Sequence, residues 1–332
     1  MIKILNHNDI DTHEWEQLVN QSATASYFQT KECYDFYFSL SFLKPFLYGV
    51  SENGELKGLV CGYIIADGNR IKRFFSRRVI IPGGILLSKN ISEVALEKLL
   101  LKVKSEFQKK AIYAEIRNFH DYSNFISVFE KTGFNWQPHL NYQIALTNID
   151  EVFSGISDTR KRQIKQSLRE GVVYQQTVDM QDIKDFYLIL QHVYRKKVKL
   201  PLFPFEFFET VVSKSFGKLL VVKDNNRVLG GILCVGTGNT LYEWFVCGLD
   251  KNNTNIYPSV MATWAGIEYA VKNDYKIFDF MGAGKPDKEY GVREFKARFG
   301  GKLVKHGRFR HIFNPLFFKL AEKYINLIRQ FS

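Results

Sequence analysis

The residues best suited to chemistry lie together near the end of the chain, in the run KIFDFMGAGKPDKEYGVREFKARFGG from Lys276 to Gly301. A short apolar stretch, Ile277 to Phe280, carries Asp279 and empties into a glycine-bearing loop with Lys285. Arg293, the pair Phe295-Lys296 and the doublet Gly300-Gly301 follow. From Lys285 to Arg310 there are nine basic residues against three acidic ones. The order predicts a rigid strand that delivers a cationic loop to a reaction centre. A cation fixed in a dry cleft stabilises developing negative charge by several kcal/mol, and Lys296, with Phe295 beside it, is either a catalytic candidate of that kind or a surface lysine next to a core phenylalanine. Asp279 is either a base at the mouth of the cleft or the anchor of the loop. A phosphate-binding P-loop is excluded: Asp279 stands where the first glycine belongs, and Pro286 replaces the hydroxyl residue after Lys285.

The elements that must position these residues repeat across the chain. Phe46–Val50, Leu56–Ala66 and Ile71–Ile81 are strand-like runs separated by Glu52-Asn53-Gly54 and Asp67-Gly68-Asn69. Leu219–Lys223, Val228–Val235 and Leu241–Gly248 repeat them, separated by Asp224-Asn225-Asn226 and Gly236–Asn239. Asn, Asp and Gly accept the positive φ of tight hairpins, so both sets predict antiparallel meanders. Each meander precedes a helical period (Leu96, Leu99, Leu100, Val103, Phe107; Val260, Met261, Trp264, Ile267) and one more strand, Ala111–Ile116 or Ile277–Phe280. Helix, meander, helix, strand, stated twice, is the layout of the GNAT acyltransferase fold. The predicted class is therefore α/β with a mixed sheet: two tandem GNAT-like domains, 1–148 and 149–313. The terminal residues Leu316, Leu320, Tyr324, Leu327 and Phe331 share one stripe, and one reading of it is a helix lying on the inner membrane face with Lys319, Lys323 and Arg329 outward.

Charge is spread unevenly. The formal balance is +12; residues 1–145 hold 17 basic and 15 acidic residues, leaving 29 and 19 for the rest. The second half is the expected seat of an anionic partner. Within it, TRKRQIKQSLREG predicts a helix with Ile164 and Leu168 inward and Lys161, Arg162 and Lys165 outward, either contacting phosphates or merely solvated. Tyr242 and Trp244 share a strand face by alternation and, with Tyr257, are candidates to line a donor groove. Cys33, Cys61, Cys234 and Cys247 lie too far apart for a zinc site or a disulfide framework, so free thiols in a reducing compartment are expected. The N-terminus lacks a signal-peptide core and no 18-residue apolar run occurs, which predicts a cytoplasmic protein.

The motif Phe295-Lys296-x-x-Phe299-Gly300-Gly301 after an aspartate-bearing strand resembles the signature of the Fem family of peptidoglycan bridge-building aminoacyltransferases. The basic helix resembles the one opening that family's second domain, with Ser167 in place of an alanine. The resemblance implies transfer of an amino acid from aminoacyl-tRNA to a side-chain amine of a muropeptide precursor, nucleotide- or lipid-linked. Lys296 would then stabilise charge on the ester carbonyl or the departing ribose oxygen. Lys31 and Lys72 to Arg78 are candidates for the precursor's pyrophosphate, and the terminal helix is expected to pack back on the first domain. No cofactor and no metal are implied. Acyl-CoA-using GNAT enzymes carry R/Q-x-x-G-x-G/A after the central strand, whereas this chain reads LDKNNTNIYPSVM there, without those glycines and with Pro258 removing a donor. Two alternatives remain: an N-acyltransferase using acyl-CoA or a carrier on an envelope amino sugar, and a non-catalytic RNA- or membrane-binding protein. A catalytic Lys296 at the loop predicts that Lys296→Ala abolishes transfer with little change in melting temperature.

Overall fold

Local rules place the elements. The hairpin residues Asn53-Gly54 and Asn225-Asn226 all take positive φ, as tight two-residue turns demand. Asp11 and Ser92 cap helices by accepting backbone N–H groups of the first turn. The computed structural model describes residues 1–68, 73, 76–214, 216–250 and 255–331, with side chains as far as residue 323.

In chain order the first part comprises β1 (Ile2–Asn6), α1 (Thr12–Gln21), α2 (Lys31–Ser39), β2 (Lys44–Glu52), β3 (Glu55–Ile65), β4 (Arg78–Gly83), β5 (Leu86–Leu87), α3 (Glu93–Phe107), β6 (Tyr113–Asn118), α4 (Ile126–Lys131) and β7 (Asn135–Gln137). Then come β8 (Asn141–Ala145), α5 (Ile149–Ser154), α6 (Asp158–Arg169), β9 (Val173–Thr177), α7 (Met180–Val193), α8 (Phe205–Ser213), β10 (Lys218–Asp224), β11 (Arg227–Thr237) and β12 (Thr240–Gly248). The chain closes with α9 (Pro258–Lys272), β13 (Ile277–Asp279), α10 (Gly291–Ala297), β14 (Lys302–Val304), β15 (Arg308–Ile312) and α11 (Pro315–Phe331).

These elements form two units, Met1–His139 with Lys305–Ser332, and Leu140–Val304. The first unit's sheet runs β1-β2-β3-β4-β6-β15-β7, with β5 on β3; the second runs β14-β8-β13-β12-β11-β10-β9. In each, a meander feeds a crossover helix, α3 or α9, that returns to make the parallel pair β4/β6 or β12/β13; the other pairings are antiparallel. Leu96, Leu99, Leu100 and Val103 of α3 bury against Val60, Ile81 and Ile116 in the first core, where Phe129 and Phe309 stack with centroids 3.8 Å apart. Val260, Met261, Trp264 and Ile267 of α9 bury with Ile232, Leu241 and Phe278 in the second. On that sheet's other side Phe207 and Phe208 of α8 meet Phe245.

Several expectations are corrected. The domain limits at 148/149 and 313/314 move, because β8 pairs with β13 and β14 while β15 pairs with β6 and β7. The strand expected at Ile71–Ile81 is β4, Arg78–Gly83; Asn69 to Lys72, with Phe74 and Phe75, fall outside the described residues. In α6, Leu168 is exposed and Ser167 is the buried residue beside Ile164. Helix α11 docks on its own unit through Phe318, edge-on to Tyr113 at 5.4 Å, whereas Leu316 and Leu320 of the expected stripe are exposed. Among the described residues no helix is long and apolar enough to cross a membrane, and all four cysteines are buried free thiols.

Truncating Phe129 leaves its stacked partner facing a void. Phe129→Ala should cost about 3–5 kcal/mol in urea unfolding monitored by fluorescence. A loss below about 1 kcal/mol contradicts this packing.

Candidate active site

The parallel pair of the second sheet is short. The parallel ladder between β12 and β13 pairs Thr240 with Ile277, Leu241 with Phe278 and Tyr242 with Asp279, and ends there. Strand β12 continues to Gly248, while the chain after β13 turns through Met281 (φ +57) and Gly282 (φ +135) into the loop. Just past the last paired residue, β12 carries Glu243, followed by a bulge: Cys234 of β11 faces Glu243, Leu233 faces Phe245, and Trp244 is the extra residue.

Two side chains hold the loop. Asp279, wholly buried, accepts from Asn141 Nδ2 (2.8 Å), Gln143 Nε2 (2.8 Å) and the Met281 N–H (2.6 Å). Asn141 Oδ1 in turn accepts from the Gly282 N–H at 2.7 Å. Asp279 thus clamps a residue in the left-handed region, and its two oxygens are occupied by three donors. Of its two expected roles, these contacts are those of the anchor.

Lys296 is the second tether. It is 7% exposed, and its ammonium donates to Phe280 O (2.6 Å) and Gly282 O (3.0 Å) while pairing with Glu243 Oε1 at 3.0 Å. Glu243 is 4% exposed, and its Oε2 is buried without a hydrogen-bond partner. Burial raises the Glu243 carboxyl above the usual range, against the opposing pull of Lys296. The expected catalytic lysine is therefore part of a buried ion pair, so the expectation of an unchanged melting temperature for Lys296→Ala does not fit this environment. Removing one member of such a pair strands the other charge and costs about 3–5 kcal/mol.

The remaining candidates separate into groups. Phe295, next to Lys296 in the chain, has its ring 5.3 Å from Phe299, and the Arg160 guanidinium sits 4.4 Å over it. Arg293 staples the loop by donating to Ala283 O (2.9 Å) and to the carbonyl of Lys285, whose own side chain is exposed. Gly301 fits the motif because its φ is +89° and a Cβ would lie 2.6 Å from Gln143 O. Tyr242 is buried, and Trp244, the extra residue of the bulge, packs 4.8 Å from Phe207. Arg162 and Lys165 are exposed on α6, Lys165 lying 5.8 Å over Phe153. Lys31 belongs to the first unit and pairs with Asp35 at 2.6 Å.

Tyr257 precedes α9 and donates its N–H to Ser167 Oγ at 3.0 Å. The first turn of α9 is occupied from within: Asp250 accepts from Ser259 N (3.0 Å) and Ser259 Oγ (2.6 Å). Gly248 lets that helix end approach closely, since a Cβ there would meet Ser259 N at 2.3 Å. Residues 251–254 lie outside the described set.

Two site residues escaped the sequence reading. Glu243 was signalled by a lone carboxylate inside the apolar run LYEWFVC, since unpaired glutamates are rarely buried. Arg160 was one of five cations, and nothing in the sequence marks it as the one that folds over Phe295.

The twice-built sheet, each with its crossover helix and parallel pair, defines a tandem GNAT-like fold. A tandem GNAT protein from the clavulanic acid biosynthesis pathway superposes with a TM-score of 0.58 at 9% identity, over 95% of this chain and 99% of that one. The structure of L-PGS from Bacillus licheniformis gives 0.57 at 10% identity, over 95% and 97%. FemX gives 0.71 at 15% identity, over 96% of this chain and all of that one. The FemAB family matches residues 207–325, a span that includes Glu243, Asp279, Phe295 and Lys296. No curated protein matches the sequence. The chain is FemAB-like over residues 207–325 and has the fold of two tandem GNAT-like domains.

If Asp279 is the anchor, Asp279→Asn places an amide donor against donors it must accept from. Stability should fall by about 1–3 kcal/mol, and amide exchange at Met281 and Gly282 should accelerate. Unchanged exchange at both amides would contradict the anchoring role.

Proposed function

We propose that this chain is a Fem-like aminoacyltransferase that moves an amino acid from aminoacyl-tRNA to a side-chain amine of a peptidoglycan precursor. The observation that carries the reading is the Lys296–Glu243 pair at the end of the β12/β13 ladder, beside a loop fixed by Asp279 and Arg293. The donor ester is already activated, so much of the acceleration comes from placing amine and carbonyl together. In the reaction the amine nitrogen bonds to the ester carbonyl carbon, and negative charge develops on its oxygen. All three ammonium protons of Lys296 are engaged, and the contact to Gly282 O is the longer of the two to carbonyls. Exchange of that contact for the substrate oxyanion gives the cation its catalytic role. Glu243 Oε2, lacking a partner, takes the amine proton and passes it to the departing ribose oxygen as the C–O bond breaks.

The donor assignment is supported by the first turn of α9. A coenzyme pyrophosphate would dock on those backbone amides, and the Asp250 carboxylate sits there instead. Cationic residues Arg162 and Lys165 on α6 are exposed in the same unit, where a polyanionic donor could be contacted. The exposed Leu316 and Leu320, next to exposed Lys319 and Lys323, support a peripheral contact with an anionic membrane face for a lipid-linked acceptor. These substrates place the reaction in the cytoplasm.

Lys296→Met should lower transfer about 100- to 1,000-fold. Glu243→Gln should lower it about 100-fold or more. The double variant removes both buried charges, so it should regain most of the thermal stability lost by Lys296→Met while remaining inactive. Recovery of activity in the double variant would refute the assigned roles. Incubation with radiolabelled aminoacyl-tRNA or acyl-CoA and a muropeptide should transfer label only from the tRNA; label arriving only from CoA would refute the donor.

A further inference from the structure

We propose that the polar face of the first unit's sheet binds a doubly charged phosphate or diphosphate group on Arg117, Arg308 and Arg310. The strand register brings these residues together. Across β6 and β15, Arg117 lies directly opposite Arg308 and Glu115 directly opposite Arg310. Glu115 Oε1 accepts from Arg117 Nε (2.9 Å) and Arg308 Nη1 (3.1 Å), and Oε2 from Arg310 Nη2 (2.6 Å). Three guanidinium charges therefore share one carboxylate, a surplus of two positive charges. The neighbouring Arg78 on β4 does not share Glu115, being held by Asp67 at 2.5 Å.

The arrangement is costly for folding alone. Like charges directly opposite each other in an antiparallel pair destabilise it. Burial and the repulsion of Arg117 and Arg310 pull Arg308 down to about 10 despite Glu115. The three arginines override burial at Glu115 and hold its carboxyl below the ordinary range.

The cluster is also accessible and rigid. Arg117 is 38% exposed along its side chain, and its terminal nitrogens make no hydrogen bond among the described residues. Arg310 is wedged between the rings of Tyr113 and Phe318, at 5.6 and 5.5 Å, and Arg308 Nη2 lies 2.9 Å from His139 Nε2. Planar guanidinium forks with a free edge suit the oxygens of a phosphate. A surplus of two charges matches a phosphate monoester or diphosphate better than a carboxylate. Local rules broken without a compensating gain in stability are characteristic of functional sites.

This inference does not depend on the transferase reading, since binding is measured without donor or acceptor. Inorganic pyrophosphate titrated into the full chain at fixed ionic strength should bind with saturation in calorimetry and raise the melting temperature; acetate should do neither. Arg117→Met should weaken pyrophosphate binding at least tenfold, with a ligand-free melting temperature equal to or above the parent's. Arg117→Lys, which keeps the charge and loses the fork, should fall between. Adenosine 5′-diphosphate and farnesyl diphosphate distinguish a nucleotide carrier from a lipid carrier, and tighter binding of either supports the site. Equal pyrophosphate affinity in the parent and Arg117→Met, or an acetate effect as large as that of pyrophosphate, overturns it.

Discussion

A buried ammonium holds two carbonyls of one loop and one carboxylate of the neighbouring strand, and the geometry of the second unit's polar centre follows from it. Without Lys296, the carbonyls of Phe280 and Gly282 and the carboxylate of Glu243 would converge with no donor between them. Such a gathering of acceptors is unfavourable in a dry interior. The lysine satisfies all three and ties α10 to β12. Asp279 performs the complementary task one turn earlier, collecting donors where Lys296 collects acceptors. Together they hold a left-handed Met281 and a glycine-rich bend that local propensity would not keep in one conformation.

The two units apply one scaffold differently. In the first, the parallel ladder β4/β6 runs through six register pairs, from Arg78 with Tyr113 to Gly83 with Asn118. In the second, the equivalent ladder stops after three, and the bulge at Trp244 follows at once. Glu243 stands just past the last paired residue of the short ladder, buried against Lys296. The first unit keeps its parallel pair closed and places its charge on the sheet surface instead, around Glu115. The same crossover thus supports a buried ion pair in one unit and an open cationic face in the other.

Much of this was legible in the sequence. Hairpin residues with forced positive φ, helical apolar periods and the repeated order of elements specified two α/β units, because each signal is local. The Phe295-Lys296 motif and Asp279 were marked by type and spacing. The bulge was not legible, because alternation assumes an unbroken register; it makes Trp244 an extra residue, so that both Trp244 and Phe245 meet Phe207. Leu168 and Ser167 exchanged places on α6 because Ser167 is needed as a bonding partner for the Tyr257 N–H, a long-range demand.

Charge shows the division most clearly. Composition fixed the number of cations and put most of them late in the chain, yet Arg308 and Arg310 belong by pairing to the first unit's sheet. Sequence alone determined which segments are strands or helices and where a polar loop must fall, since those depend on neighbours a few residues away. Only the tertiary structure decided that Lys296 meets Glu243 and that Arg117 faces Arg308, because those contacts join strands and helices separated by dozens to nearly two hundred residues. Register, crossover and the point where a ladder ends are properties of the assembled sheet.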